Sequence, residues 1–90
     1  MKPHAITVEL YGMARARAGR KELTVSAATA GEALRAVLEV CPALSGLCRP
    51  GGQLAPHYLL SLDGERFLTD LAESLRPGDR LVLLSADAGG

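Results

Sequence analysis

Ninety residues, 48% of them hydrophobic, make one domain with enough apolar surface for one modest core. Ten basic and ten acidic residues cancel, so no net field draws the chain to nucleic acid or to an anionic membrane. No apolar run approaches the roughly 20 residues that cross a bilayer. Met1-Lys2-Pro3-His4 lacks the apolar core of a signal peptide, so the expected location is the cytoplasm. The two cysteines, Cys41 and Cys48, form no disulfide framework and miss the Cys-x-x-Cys spacing of zinc and redox sites. They read as reduced thiols, with Cys41 in the core.

Ala5 to Tyr11 alternates, with Ile6, Val8 and Leu10 on one face and Thr7, Glu9 and Tyr11 on the other. This predicts a half-buried strand. Gly12 to Gly19 reads as a turn region carrying Arg15 and Arg17, with Arg20 and Lys21 just beyond. Glu22 to Val25 alternates again, with Leu23 and Val25 inward, so the two runs predict a hairpin with a long loop. Thr29 and Glu32 have capping-box spacing, each side chain positioned to bond the other's backbone N–H. The helix behind them places Leu34, Val37, Leu38 and Cys41 on one face, and Pro42 ends it near Val40.

Pro42 to Pro56 is irregular, pinned by Leu44, Leu47 and Leu54, with a short helical turn expected around Ala43 to Leu47. His57 to Leu62 predicts a strand, Asp63-Gly64 a turn, and Glu65 to Leu68 a short return strand. Leu71 and Leu75 anchor the next turns, Arg76 to Asp79 is a loop, and Arg80 to Leu84 is the last strand. A hairpin, a helix and several short strands on this length predict an α+β fold. It is the ubiquitin-like β-grasp: a mixed sheet of four to five strands with one main helix across one face. Its first and last strands are adjacent and parallel. One helix covers one face only, so the spare apolar residues of the last strand, Val82 and Leu84 or their neighbours, suggest a docking surface.

Residues 85–90 contain nothing bulky and predict a flexible tail beyond a domain spanning residues 1–84. Gly89-Gly90 carries no Cβ, so its backbone passes where a side chain would be blocked.

The chain resembles the MoaD/ThiS-type sulfur carriers. Tyr11 to Gly19 is similar to their first loop, Glu32-Ala33-Leu34 to their helix start, and Leu62-Asp63-Gly64-Glu65 to a turn that more often has Asn in place of Asp63. Leu75 to Leu81 is similar to the element before their last strand, and Gly89-Gly90 to their functional end. The long 42–56 segment looks like the MoaD and CysO-like branches. The tail departs from the pattern: Ser85-Ala86-Asp87-Ala88 replaces the usual proline and apolar residue, so a partner's channel has to accommodate Asp87.

The resemblance implies a protein co-substrate rather than an enzyme. A MoeB/ThiF-like adenylyltransferase would use ATP to adenylate the Gly90 carboxylate. Sulfur from a persulfide would then give a thiocarboxylate that serves a sulfur-accepting synthase. Gly89, Ala88 and Asp87 would enter the partner, and Arg15, Val82 and Leu84 would contact it. The chain itself would hold no cofactor and no metal. The acceptor pathway stays open among molybdopterin, thiamine, cysteine, tRNA thiolation and secondary metabolites. A ubiquitin-like modifier, conjugated through the same activated Gly90, is the second reading. A β-grasp interaction module with an idle tail is the third. Arg15 reads equally as a solvated loop charge, and Arg17 and Arg20 as solubility charges. His4 and His57 have no ligand-type companions, and Tyr11 and Tyr58 are expected at the sheet edge.

Overall fold

A computed structural model describes residues 4–49 and 53–85. The strand β1 (His4–Tyr11) leads into the helix α1 (Met13–Ala18), then β2 (Glu22–Ala27) and the main helix α2 (Ala30–Val40). A 3₁₀ turn (Pro42–Leu44), β3 (Tyr58–Leu62), β4 (Arg66–Phe67) and β5 (Arg80–Ser85) complete the chain. The five strands form one mixed sheet in the order β2-β1-β5-β3-β4. β1 and β5 run parallel at its centre, and the remaining neighbours are antiparallel. This is the expected β-grasp.

Alternation decides which face is covered. Ile6, Val8 and Leu10 of β1 and Leu81 and Leu83 of β5 are fully buried against Leu34 and Val37 of α2. Leu44 and Leu47 are fully buried too, which pins the irregular 42–49 segment to the core, and Leu75 anchors the approach to β5. Cys41 is buried and Cys48 half-buried, both as free thiols. Among the described residues no helix is long and apolar enough to cross a membrane.

α2 starts at Thr29, whose Oγ1 accepts the Glu32 N–H at 3.2 Å. Glu32 reaches back to the Ala28 N–H at 2.9 Å rather than to Thr29, a capping box displaced by one residue. The helix ends at Val40, and Pro42 opens the 3₁₀ turn.

Three details correct the sequence reading. The segment after Gly12 is a helix, not an open loop. Met, Ala and Arg are good helix formers, Ala14 is fully buried with Ala18 packed on the core four residues later, and Gly19 closes the last turn in the left-handed region. The bounding glycines are its caps. Neither tyrosine sits at a sheet edge: β1 and β3 are interior strands, Tyr11 lies on the uncovered face, and Tyr58 is a core residue only 3% exposed. The final strand runs one residue further than expected, through Ser85.

Candidate functional site

α2 leaves one face of the sheet bare, and the same alternation that buries Leu81 and Leu83 turns Val82 and Leu84 onto that face. Register sets their neighbours. Leu84 lies between Tyr11 of β1 and Leu59 of β3. Val82 lies between Glu9 and Ser61, and Ser61 in turn faces Phe67 of β4. Two rows therefore run across the central strands, Tyr11–Leu84–Leu59 and Val82–Ser61–Phe67. Leu59 is 42% exposed and Phe67 62%, whereas the smaller Ser61 is buried between larger neighbours. The result is an apolar band with a shallow floor at Ser61. Beyond Leu59 and Phe67 the band continues into a notch of about 290 Å³ at the sheet edge, walled by Leu54, Pro56 and Leu68.

The sequence pointed to Val82 and Leu84 but missed Leu59 and Phe67. The available signal was the uninterrupted Tyr58-Leu59-Leu60 run, which alternation splits between the two faces, and an isolated phenylalanine in an otherwise polar turn.

A charged network borders the band. The Tyr11 hydroxyl donates to Glu9 Oε1 at 2.8 Å, Arg80 pairs with the second Glu9 oxygen, and Glu22 lies 3.9 Å from the Arg80 guanidinium. The Tyr11 hydrogen bond, followed by that of Arg80, holds the Glu9 carboxyl below the usual glutamate range. The same bond raises the Tyr11 phenol above its ordinary value.

Arg15 is not a free loop charge. Its Nε donates to the Leu10 carbonyl at 2.8 Å, and its guanidinium lies over the Tyr11 ring, 4.7 Å from the centroid. α1 thus brings Arg15 to the same end of β1 as Tyr11 and Leu84. Arg15, Val82 and Leu84 are brought together on one surface, the first at the corner and the other two across the face.

Asp87, Ala88, Gly89 and Gly90, expected to carry the chemistry, lie outside the described residues. Ser85, the last residue described, stands beside Gly12 and opposite Tyr58. Among the described residues no cluster of His, Cys, Asp or Glu could hold a metal.

No family model matches the sequence, and no curated protein does. Solved structures do. The chain is 30% identical to small archaeal modifier protein 1 of Haloferax volcanii, over 96% of this chain and 99% of that one, with a TM-score of 0.83. It is similar in fold to a chain of the Amycolatopsis orientalis BexX/CysO complex, at 22% identity, with 96% and 100% of the two chains covered and a TM-score of 0.78. A Pyrococcus furiosus protein described as molybdopterin converting factor subunit 1 matches at 13% identity, 91% and 97% coverage and a TM-score of 0.71, again a likeness of fold.

Proposed function

The chain belongs to the MoaD/ThiS-type family of ubiquitin-like β-grasp proteins, and from that membership we propose that it is a sulfur carrier activated at Gly90. The observation that carries the proposal is one of placement. The bare apolar band ends at the Tyr11–Leu84–Leu59 row, and Ser85, from which the sequence continues to Gly89-Gly90, follows directly on Leu84. A partner that docks on the band is therefore well placed to receive the tail.

The chemistry needs nothing from this chain beyond its terminal carboxylate, ionised at neutral pH with a pKa of about 3.5. In an ATP-dependent MoeB/ThiF-like enzyme the carboxylate attacks the α-phosphorus and pyrophosphate leaves. The sulfane sulfur of a persulfide then attacks the acyl carbon and AMP leaves. A thiol then attacks the donor cysteine's sulfur in the resulting acyl disulfide and forms a disulfide with it, and the acyl-bound sulfur leaves as the thiocarboxylate. ATP is thus the partner's substrate and not a cofactor of this protein. A sulfur-accepting synthase would be the second partner; the BexX/CysO complex shows a chain of this fold held by another protein.

The 30% identical relative is named a modifier, which favours a second reading: capture of the same adenylate by a lysine on a target protein. ATP–pyrophosphate exchange with the activating enzyme tests the shared step. Exchange occurs with the wild-type chain and is lost on deletion of Gly90. Undiminished exchange without Gly90 contradicts both readings and leaves an interaction module. Gly90-dependent conjugates of higher mass in a lysate separate modifier from carrier.

A further inference from the structure

We infer that Gly12 is a positioning residue, setting the direction in which the chain leaves the sheet at Ser85 and hence how Gly90 is presented for activation. The inference rests on the activation proposed above. Tyr11 and Leu84 form the last rung of the parallel β1–β5 pairing. Past it the strands part, β1 into α1 through Gly12 and β5 into Ser85. Gly12 has φ 62° and ψ −138°, backbone angles that an L side chain does not tolerate without strain.

Space imposes a second requirement. A Cβ on Gly12 would lie 3.3 Å from the Ser85 carbonyl oxygen, 3.6 Å from its Cβ and 3.8 Å from its nitrogen. The other positive-φ glycines behave differently: at Gly19, Gly46, Gly64 and Gly78 an added Cβ meets nothing within 4 Å. Those four serve their own turns. Gly12 serves its turn and a neighbour, and that neighbour is the residue from which the tail departs.

Both sides of Ser85 are fixed. On one side it pairs with Tyr58, whose ring is held in the core. On the other, the Gly12 carbonyl accepts the Ala16 N–H at 3.1 Å, and α1 is anchored by the fully buried Ala14. A side chain at residue 12 therefore pushes the Ser85 carbonyl aside by a few tenths of an ångström or shifts the start of α1. Five residues continue beyond Ser85 and span about 17 Å when extended. Those residues start in the direction that Ser85 gives them, so a tilt at the root shifts the range of positions that the far end can reach. Once the apolar band is docked, the channel mouth is fixed relative to Ser85, and a shifted range lowers the fraction of docked carriers whose Gly90 enters it.

Steady-state activation of Gly12→Ala by the MoeB/ThiF-like adenylyltransferase of the same organism is the test. The expected result is a split: KM for the carrier within about twofold of wild type, because the band is intact, and kcat lower by about tenfold. Should Gly12→Ala fail to fold, Ser85→Gly loosens the root from the other side and is expected to lower kcat likewise. Residual dipolar couplings of the Ser85 N–H in the free protein report its direction without any enzyme, and the expected result is a reorientation in Gly12→Ala. Wild-type kcat in a folded variant, or an unchanged Ser85 direction, overturns the inference. An inactive wild-type chain alongside a reoriented Ser85 instead overturns the activation reading and leaves the positioning intact.

Discussion

Glu9 sits where the hydroxyl of Tyr11 and the guanidinium of Arg80 meet, at the border of the bare sheet face. Its folded value lies below its unfolded one, so its contribution to stability is present above the ordinary glutamate range and is lost as pH falls through the lowered value. Wild type is expected to melt above Glu9→Gln at pH 7, and the gap to close below roughly pH 4. Thermal melts of both across pH check this, and a gap independent of pH would contradict it. Tyr58 offers a complementary case. Its ring is buried, and its hydroxyl has no hydrogen-bond partner among the described residues. A buried hydroxyl without a partner destabilises, so Tyr58→Phe is expected to raise stability by about 1 kcal/mol in denaturant titration. A loss of that size would show that the hydroxyl is bonded. Alternation along β1 puts Glu9 and Tyr11 on one face, but Arg80 comes from another strand and the depth of Tyr58 from the packed core, and neither of those was legible in the sequence.

The main helix shows how far local signals reach. Its apolar face and its end at Pro42 are written in consecutive residues and appear where expected; its cap does so in half, Thr29 accepting the Glu32 N–H while Glu32 turns to the Ala28 N–H. Thr29→Ala removes the side-chain acceptor for the Glu32 N–H and is expected to cost about 1 kcal/mol, read as a lower denaturation midpoint at unchanged slope. An unchanged midpoint would mean that the displaced Glu32–Ala28 bond suffices alone. α1 failed to announce itself for the opposite reason. Six residues with Ala14 as their only buried position give no periodicity, and their glycine caps read equally well as turn residues. What makes it a helix is the core it meets, and that same packing places Arg15 over Tyr11.

At the scale of the molecule, topology converts ordinary strands into a surface. The parallel pairing of β1 with β5 puts Tyr11 beside Leu84, and the antiparallel pairing of β5 with β3 adds Leu59. The outward pair on β5 was foreseeable from alternation alone. The full band was not, because cross-strand neighbours are set by sheet order and register rather than by any one segment. Leu84→Ala and Leu59→Ala are each expected to weaken docking to the activating enzyme by about tenfold, with the fold retained. Calorimetric binding constants would check this, and wild-type affinity in both variants would place the docking surface elsewhere. Chemistry at the far end of the sequence is the claim on which the functional account stands. Intact-mass spectrometry of the protein purified from its native cells addresses it directly. The account predicts a species ending at Gly90 and heavier by about 16 Da, oxygen replaced by sulfur at the C-terminal carboxyl. A chain that carries only an unmodified carboxylate while its activating enzyme and sulfur source are present, or one that continues past Gly90 in its mature form, would contradict it.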